Sequence, residues 1–99
     1  MNRDQALQIL RDLLPQLREY GVRDVALFGS VVRNDAGDSS DIDILVDFES
    51  EAESFDNLMN VADVLDTRFD CPVDLVTVNG LSPYLAASVQ EEAVHAEIA

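Results

Sequence analysis

The sequence predicts a small α/β (α+β) domain, one short sheet with helices packed on it. Three observations predict it. Two stretches carry apolar residues at helical spacing, near residues 4–20 and 54–69. Three short runs rich in Val, Leu and Ile lie between and after them, each bounded by polar or glycine-containing segments. The length, 99 residues, suits one core and not two.

The elements follow in order. Ala6, Leu10, Leu13, Leu14 and Leu17 recur at helical spacing over 4–20, and Gly21 is a natural stop. Pro15 removes one backbone donor, which predicts a kink or break between Arg11 and Pro15. Residues 23–28 read as a strand that Gly29-Ser30 ends abruptly. Val31 to Asn34 suits a brief helix, and residues 35–40 are loop by composition. Residues 41–48 give the clearest strand. Over 54–69, Phe55, Leu58, Met59, Ala62, Leu65 and Phe69 form one stripe, with Asp56, Asp63 and Asp66 largely off it. Residues 73–78 are a third strand, closed by Asn79-Gly80. Ser82 then caps a last helix with Pro83 at its first position, running to about Glu97. A single domain over 1–99 is expected, with no repeat, linker or low-complexity segment.

Composition limits the partners. The hydrophobic fraction of 47% suits a folded globule. Twenty acidic residues against six basic ones give a formal net charge of -14, and every basic residue is Arg. Such a surface repels phosphate backbones and anionic lipid, so neither direct nucleic-acid binding nor a membrane partner is expected. A basic protein partner, or a cytoplasm rich in salt, accounts for the acidity. The one cysteine, Cys71, excludes an internal disulfide and reads as a small buried or half-buried filler. Met1 to Leu10 carries Arg3 and Asp4 and no long apolar run, unlike a signal peptide. A cytoplasmic location is the expectation.

The chemistry is carried by carboxylates and a glycine-serine turn. Side chains alternate along a strand, so Asp41 and Asp43 share one face while Ile42 and Ile44 take the other, toward the helices. Two ionised carboxylates side by side call for a cation between them, and oxygen-only ligands favour Mg²⁺ or Mn²⁺. Asp74 is an acidic residue on an otherwise apolar strand. It reaches the same cluster if that strand pairs beside residues 41–46. Gly29 lets the backbone approach a ligand closely, and the amides and hydroxyl around Ser30 favour an anion. A donor-rich turn and a metal-binding carboxylate pair are the two halves of a metal-triphosphate site.

The combined spacing carries a resemblance. Gly29-Ser30, ten residues, then Asp41-Ile42-Asp43 is similar to the G-S-x10-D-x-D signature of the polymerase-β-like nucleotidyltransferases. Val25-Ala26-Leu27-Phe28 and Val73-Asp74-Leu75-Val76 fit the same pattern. Arg33 and Ser40-Asp41-Ile42-Asp43 resemble the minimal nucleotidyltransferase subgroup, whose fold is a short mixed sheet covered by helices. Asn34 departs from it, standing where the subgroup often has Gly. The resemblance implies that Asp41 and Asp43 bind metal, two Mg²⁺ ions or Mn²⁺. It implies that Asp74 adds a metal ligand and activates the attacking hydroxyl. Gly29 and Ser30 would hold the triphosphate of ATP, with Arg33 contacting phosphate or pairing instead with Asp35 or Asp38.

The minimal domains resemble antitoxins paired with a HEPN-domain ribonuclease toxin, which implies AMP transfer to a tyrosine of that toxin within a hetero-oligomer. Two alternatives stand beside this reading. One is an antitoxin that only binds, and the other is a transferase acting on a small molecule. Other sites fail. A P-loop needs a Lys, and an EF-hand starting at Asp41 would need Gly where Val46 stands. His95, the only histidine, reads as a charge near the end of the last helix or a partner contact rather than a catalytic base. Tyr84 reads first as a packing residue.

Overall fold

The computed structural model describes residues 2–29 and 42–96. The expected short helix at 31–34 and loop at 35–40 lie outside them. Helix α1 spans Arg3–Arg18. It begins with a reciprocal cap: Asn2 Oδ1 accepts from the Gln5 amide at 2.8 Å, and Gln5 Oε1 accepts from the Asn2 amide at 3.1 Å. Its buried stripe is Ala6, Leu7, Leu10, Leu13, Leu14 and Leu17. The break expected near Pro15 does not occur, and the helix runs through it. Both Pro15 and Arg11 are exposed, so the hydrogen bond that the proline removes belongs to the outer side of the helix.

Gly21, at φ +87°, turns the chain out of this helix. Strand β1 (Val22–Phe28) pairs antiparallel with β2 (Ile42–Phe48), with a register shift between Val22 and Asp24. Helix α2 (Phe55–Arg68) starts from Ser54, whose Oγ accepts from the Asn57 amide at 3.1 Å. Its inward side differs from the expected stripe. Val61 and Leu65 are fully buried and Leu58 and Val64 partly so, whereas Phe55 and Met59 are 76% and 52% exposed. The stripe is rotated because the sheet beneath meets positions 58, 61 and 65 rather than 55 and 59. Asp56, Asp63 and Asp66 are exposed, as expected.

Strand β3 (Val73–Thr77) lies parallel to β2, and a short 3₁₀ turn follows at Val78–Gly80. Helix α3 (Pro83–Glu92) is capped by Ser82, with Pro83 at its start. It does not reach Glu97. The backbone turns extended at Ala93, and Val94–His95 form strand β4, antiparallel to β1. The edge of β1 supplies the reason: its backbone groups need partners, and the Ala96 amide donates to the Val25 carbonyl at 2.8 Å. Arg11 Nε donates to the Ala96 carbonyl at 3.4 Å, tying this segment to α1.

The four-stranded mixed sheet has the order β3-β2-β1-β4. One face carries Val25, Leu27, Ile42, Ile44, Val46, Val73 and Leu75 into the core with the helices. Ile42 and Ile44 are 2% and 0% exposed, on the side the alternation predicts. The opposite face carries Asp24, Ala26 and Phe28 on β1, Asp43, Leu45 and Asp47 on β2, and Asp74 and Val76 on β3. Cys71 is half-buried against the core. No helix among the described residues is long and apolar enough to cross a membrane.

Candidate metal and nucleotide site

The pairing on which the role of Asp74 depends is present. Strands β2 and β3 run parallel, with Asp43 directly beside Asp74 and Ile44 beside Leu75. Neighbouring strands lie about 4.8 Å apart, so the two carboxylates stand side by side on the open face of the sheet. Asp43 is half-buried and Asp74 exposed. Two like charges so placed favour a cation between them.

Gly29 closes one side of Asp43. It ends β1 at φ +76°, a conformation that L side chains rarely adopt. A Cβ added there would collide with Asp43 Oδ2 and lie 3.1 Å from Cγ. The glycine is therefore required twice, by its own backbone and by the carboxylate pressed against it.

These features fit a divalent metal. All the donors are carboxylate oxygens, and the backbone is cleared of side chain where it meets one of them. Among the described residues, no three His, Cys, Asp or Glu side chains converge as a metal cluster, so this part of the chain supplies a pair. Asp41, expected beside Asp43 as the other member of the primary pair, lies outside the described residues, as do Ser30 and Arg33.

The structure adds polar groups to the open face that the sequence pattern did not single out. Arg23 donates to Asp47 Oδ2 from Nη2 at 2.9 Å and from Nε at 3.1 Å. The hydrogen bond and charge of Asp47 raise the Arg23 pKa above its ordinary value. His95 is not at a helix end. It lies on β4 opposite Ala26, and its Nδ1 bonds Asp24 Oδ2. The helix-terminus reading of His95 is thereby replaced by a cross-strand pair. No local pattern in the sequence announces this, because its two partners are 71 residues apart.

A mixed sheet covered on one face by helices, with aspartates in register on the other and a glycine turn against them, defines a nucleotidyltransferase domain. The model of the nucleotidyltransferase domain family matches residues 4–95, and the chain belongs to that family. Among its relatives is the protein adenylyltransferase MntA of Thermococcus cleftensis, 41% identical over 81 residues, 81% of each chain. A solved structure provisionally named a minimal nucleotidyltransferase superposes with a TM-score of 0.82 at 31% identity, covering 95% of both chains. A crystal structure of a toxin-antitoxin with AMP-PNP matches with a TM-score of 0.66 at 28% identity, covering all of this chain and 75% of that one.

Proposed function

We propose that this chain is a metal-dependent protein adenylyltransferase acting as an antitoxin. In this reading it transfers AMP from ATP to a tyrosine of a cognate HEPN ribonuclease toxin and forms a hetero-oligomer with it. The observation that carries the proposal is the in-register pair Asp43 and Asp74, with Gly29 packed against Asp43. The kinship with a protein adenylyltransferase and with a toxin-antitoxin structure supports a protein acceptor. One domain over residues 1–99, working in the cytoplasm, completes the reading.

Asp41, Asp43 and Asp74 would hold Mg²⁺, with Mn²⁺ as the substitute ion. Bound there, the metal supplies charge neutralisation at the triphosphate and at the attacking oxygen. Gly29, Ser30 and Arg33 bind and orient the triphosphate. Asp74 takes the proton of the acceptor hydroxyl. The freed oxygen bonds to the α-phosphorus of ATP, the bond from that phosphorus to the bridging oxygen breaks, and diphosphate leaves with the electron pair. Positioning and charge stabilisation provide most of the acceleration.

The test mixes the chain, the candidate toxin and Mg-ATP and weighs the toxin by mass spectrometry. The expected result is an added AMP that disappears when Asp41→Asn and Asp43→Asn are combined. A tight complex with no added mass overturns the enzyme reading in favour of binding alone. AMP found on a small molecule and not on protein overturns the protein acceptor.

A further inference from the structure

The open face holds a second feature, a cavity of about 180 Å³ set apart from the Asp43 and Asp74 pair. Its floor is Ala26 and Leu45, its wall includes Val78, and its polar groups are Asp24, Asp47 and His95. Asp24 Oδ2 is bonded by His95, but Asp24 Oδ1 is buried and has no hydrogen-bond partner among the described residues. That oxygen is closed to solvent, so the carboxylate faces the cavity through the fifth of its side chain that stays exposed, 20%.

We propose that this cavity docks a positively charged side chain, arginine or lysine, of the protein that accepts the nucleotide. The proposal rests on the reading that the acceptor is a protein. The donor and acceptor inventory supports it. The two carboxylates only accept hydrogen bonds. The occupant must therefore bring the donors. An anion would meet two carboxylates, whereas a cation on an apolar stem finds acceptors at its head and Ala26, Leu45 and Val78 along its stem. The rim already shows this chemistry, since the guanidinium of Arg23 holds Asp47. Size permits it as well: a cavity of about 150 Å³ accommodates benzene. The net charge of -14 draws a basic partner to the whole surface, and this cavity gives one of its side chains a defined seat.

The sheet register sets the spacing. Asp43 pairs with Phe28, while the pairs Leu45–Ala26 and Asp47–Asp24 lie two and four residues further along β2. At about 3.3 Å per residue, the cavity begins roughly 7 Å and ends roughly 13 Å from the catalytic row. In an extended acceptor segment the cation would sit about two to four residues from the modified one.

The first test follows amide shifts of the full chain during titration with N-acetyl-arginine amide, N-acetyl-lysine amide and the uncharged N-acetyl-citrulline amide. Saturable shifts at Ala26, Leu45 and His95 with the cationic probes, and none with citrulline amide, are expected. Asp24→Asn should weaken that binding about tenfold or more. Asp47→Asn, at the position paired with Asp24 on β2, gives the same reading should the first variant fold poorly. Equal response to citrulline amide, unsaturable shifts over the whole acidic surface, or no shifts would overturn the proposal. The second test uses AMP transfer: Asp24→Asn should raise KM for the protein acceptor at least tenfold with kcat and the KM for ATP little changed. An unaltered acceptor KM would also overturn it. If no protein is modified at all, the functional reading fails, and the titration still decides what the cavity binds.

Discussion

Replacing Gly29 by Ala separates the two demands made on that residue. A non-glycine residue at φ +76° costs about 1–2 kcal/mol in backbone strain. In a domain of this size each kcal/mol lowers Tm by roughly 4–8 °C, so a fall of roughly 4–16 °C is expected. The steric demand falls on Asp43. The new Cβ would stand 3.1 Å from Asp43 Cγ and collide with Oδ2. Comfortable separation between carbons is about 3.5–4.0 Å, so the carboxylate must retreat by about half an ångström to one ångström at Cγ, and further at the oxygen. A misplacement of about 1 Å in a reacting constellation can cost on the order of a hundredfold in rate. AMP transfer to the toxin, scored by mass, should fall by about that factor at a temperature where the variant remains folded. Manganese affinity, read by calorimetry, should fall with it. A variant with parental metal affinity and a rate within threefold of the parent would refute the proposed closeness of Gly29 to a metal ligand.

Two further outcomes are expected. Asp74→Asn should leave the melting curve almost unchanged, because Asp74 is exposed, and should reduce AMP transfer by on the order of a hundredfold. An unchanged rate would remove Asp74 from the chemistry. Gly21→Ala combines a φ of +87° with a Cβ only 2.5 Å from that of Ala52, far from the carboxylates in the chain fold. It should lower Tm by about 8 °C or more, measured by calorimetry, while the folded fraction keeps the parental KM for ATP.

Much of this architecture was legible because it is written in local periodicity. The stripe Ala6, Leu10, Leu13, Leu14 and Leu17 gives α1, and the alternation through Ile42 and Ile44 sets which face of β2 meets the helices. The partnership of Asp43 and Asp74 needed one further step, the side-by-side placement of β2 and β3, and the register supplies it. What escaped the sequence is decided by distant contacts. Phe55 and Met59 share a helical stripe with Leu58 and Leu65, yet only packing against the sheet determines which part of a wide stripe is covered. Strand β4 is two residues long, too short for any periodicity, and exists because β1 has an edge to satisfy. The cavity beside it was invisible for the same reason.

That short strand also orders events in time. The Asp24–His95 bond closes a separation of 71 residues and the Arg11–Ala96 bond one of 85, so both await contacts that the rest of the sheet has already organised. Two residues of pairing make a shallow hold, and β4 is expected to open before the β1–β2 and β2–β3 ladders do. When it opens, the cavity loses its histidine wall, whereas Asp43 and Asp74 keep their register. Slowed exchange at the Ala96 amide would then report a seated cation, and unchanged exchange an empty one, with no chemistry at the metal site required.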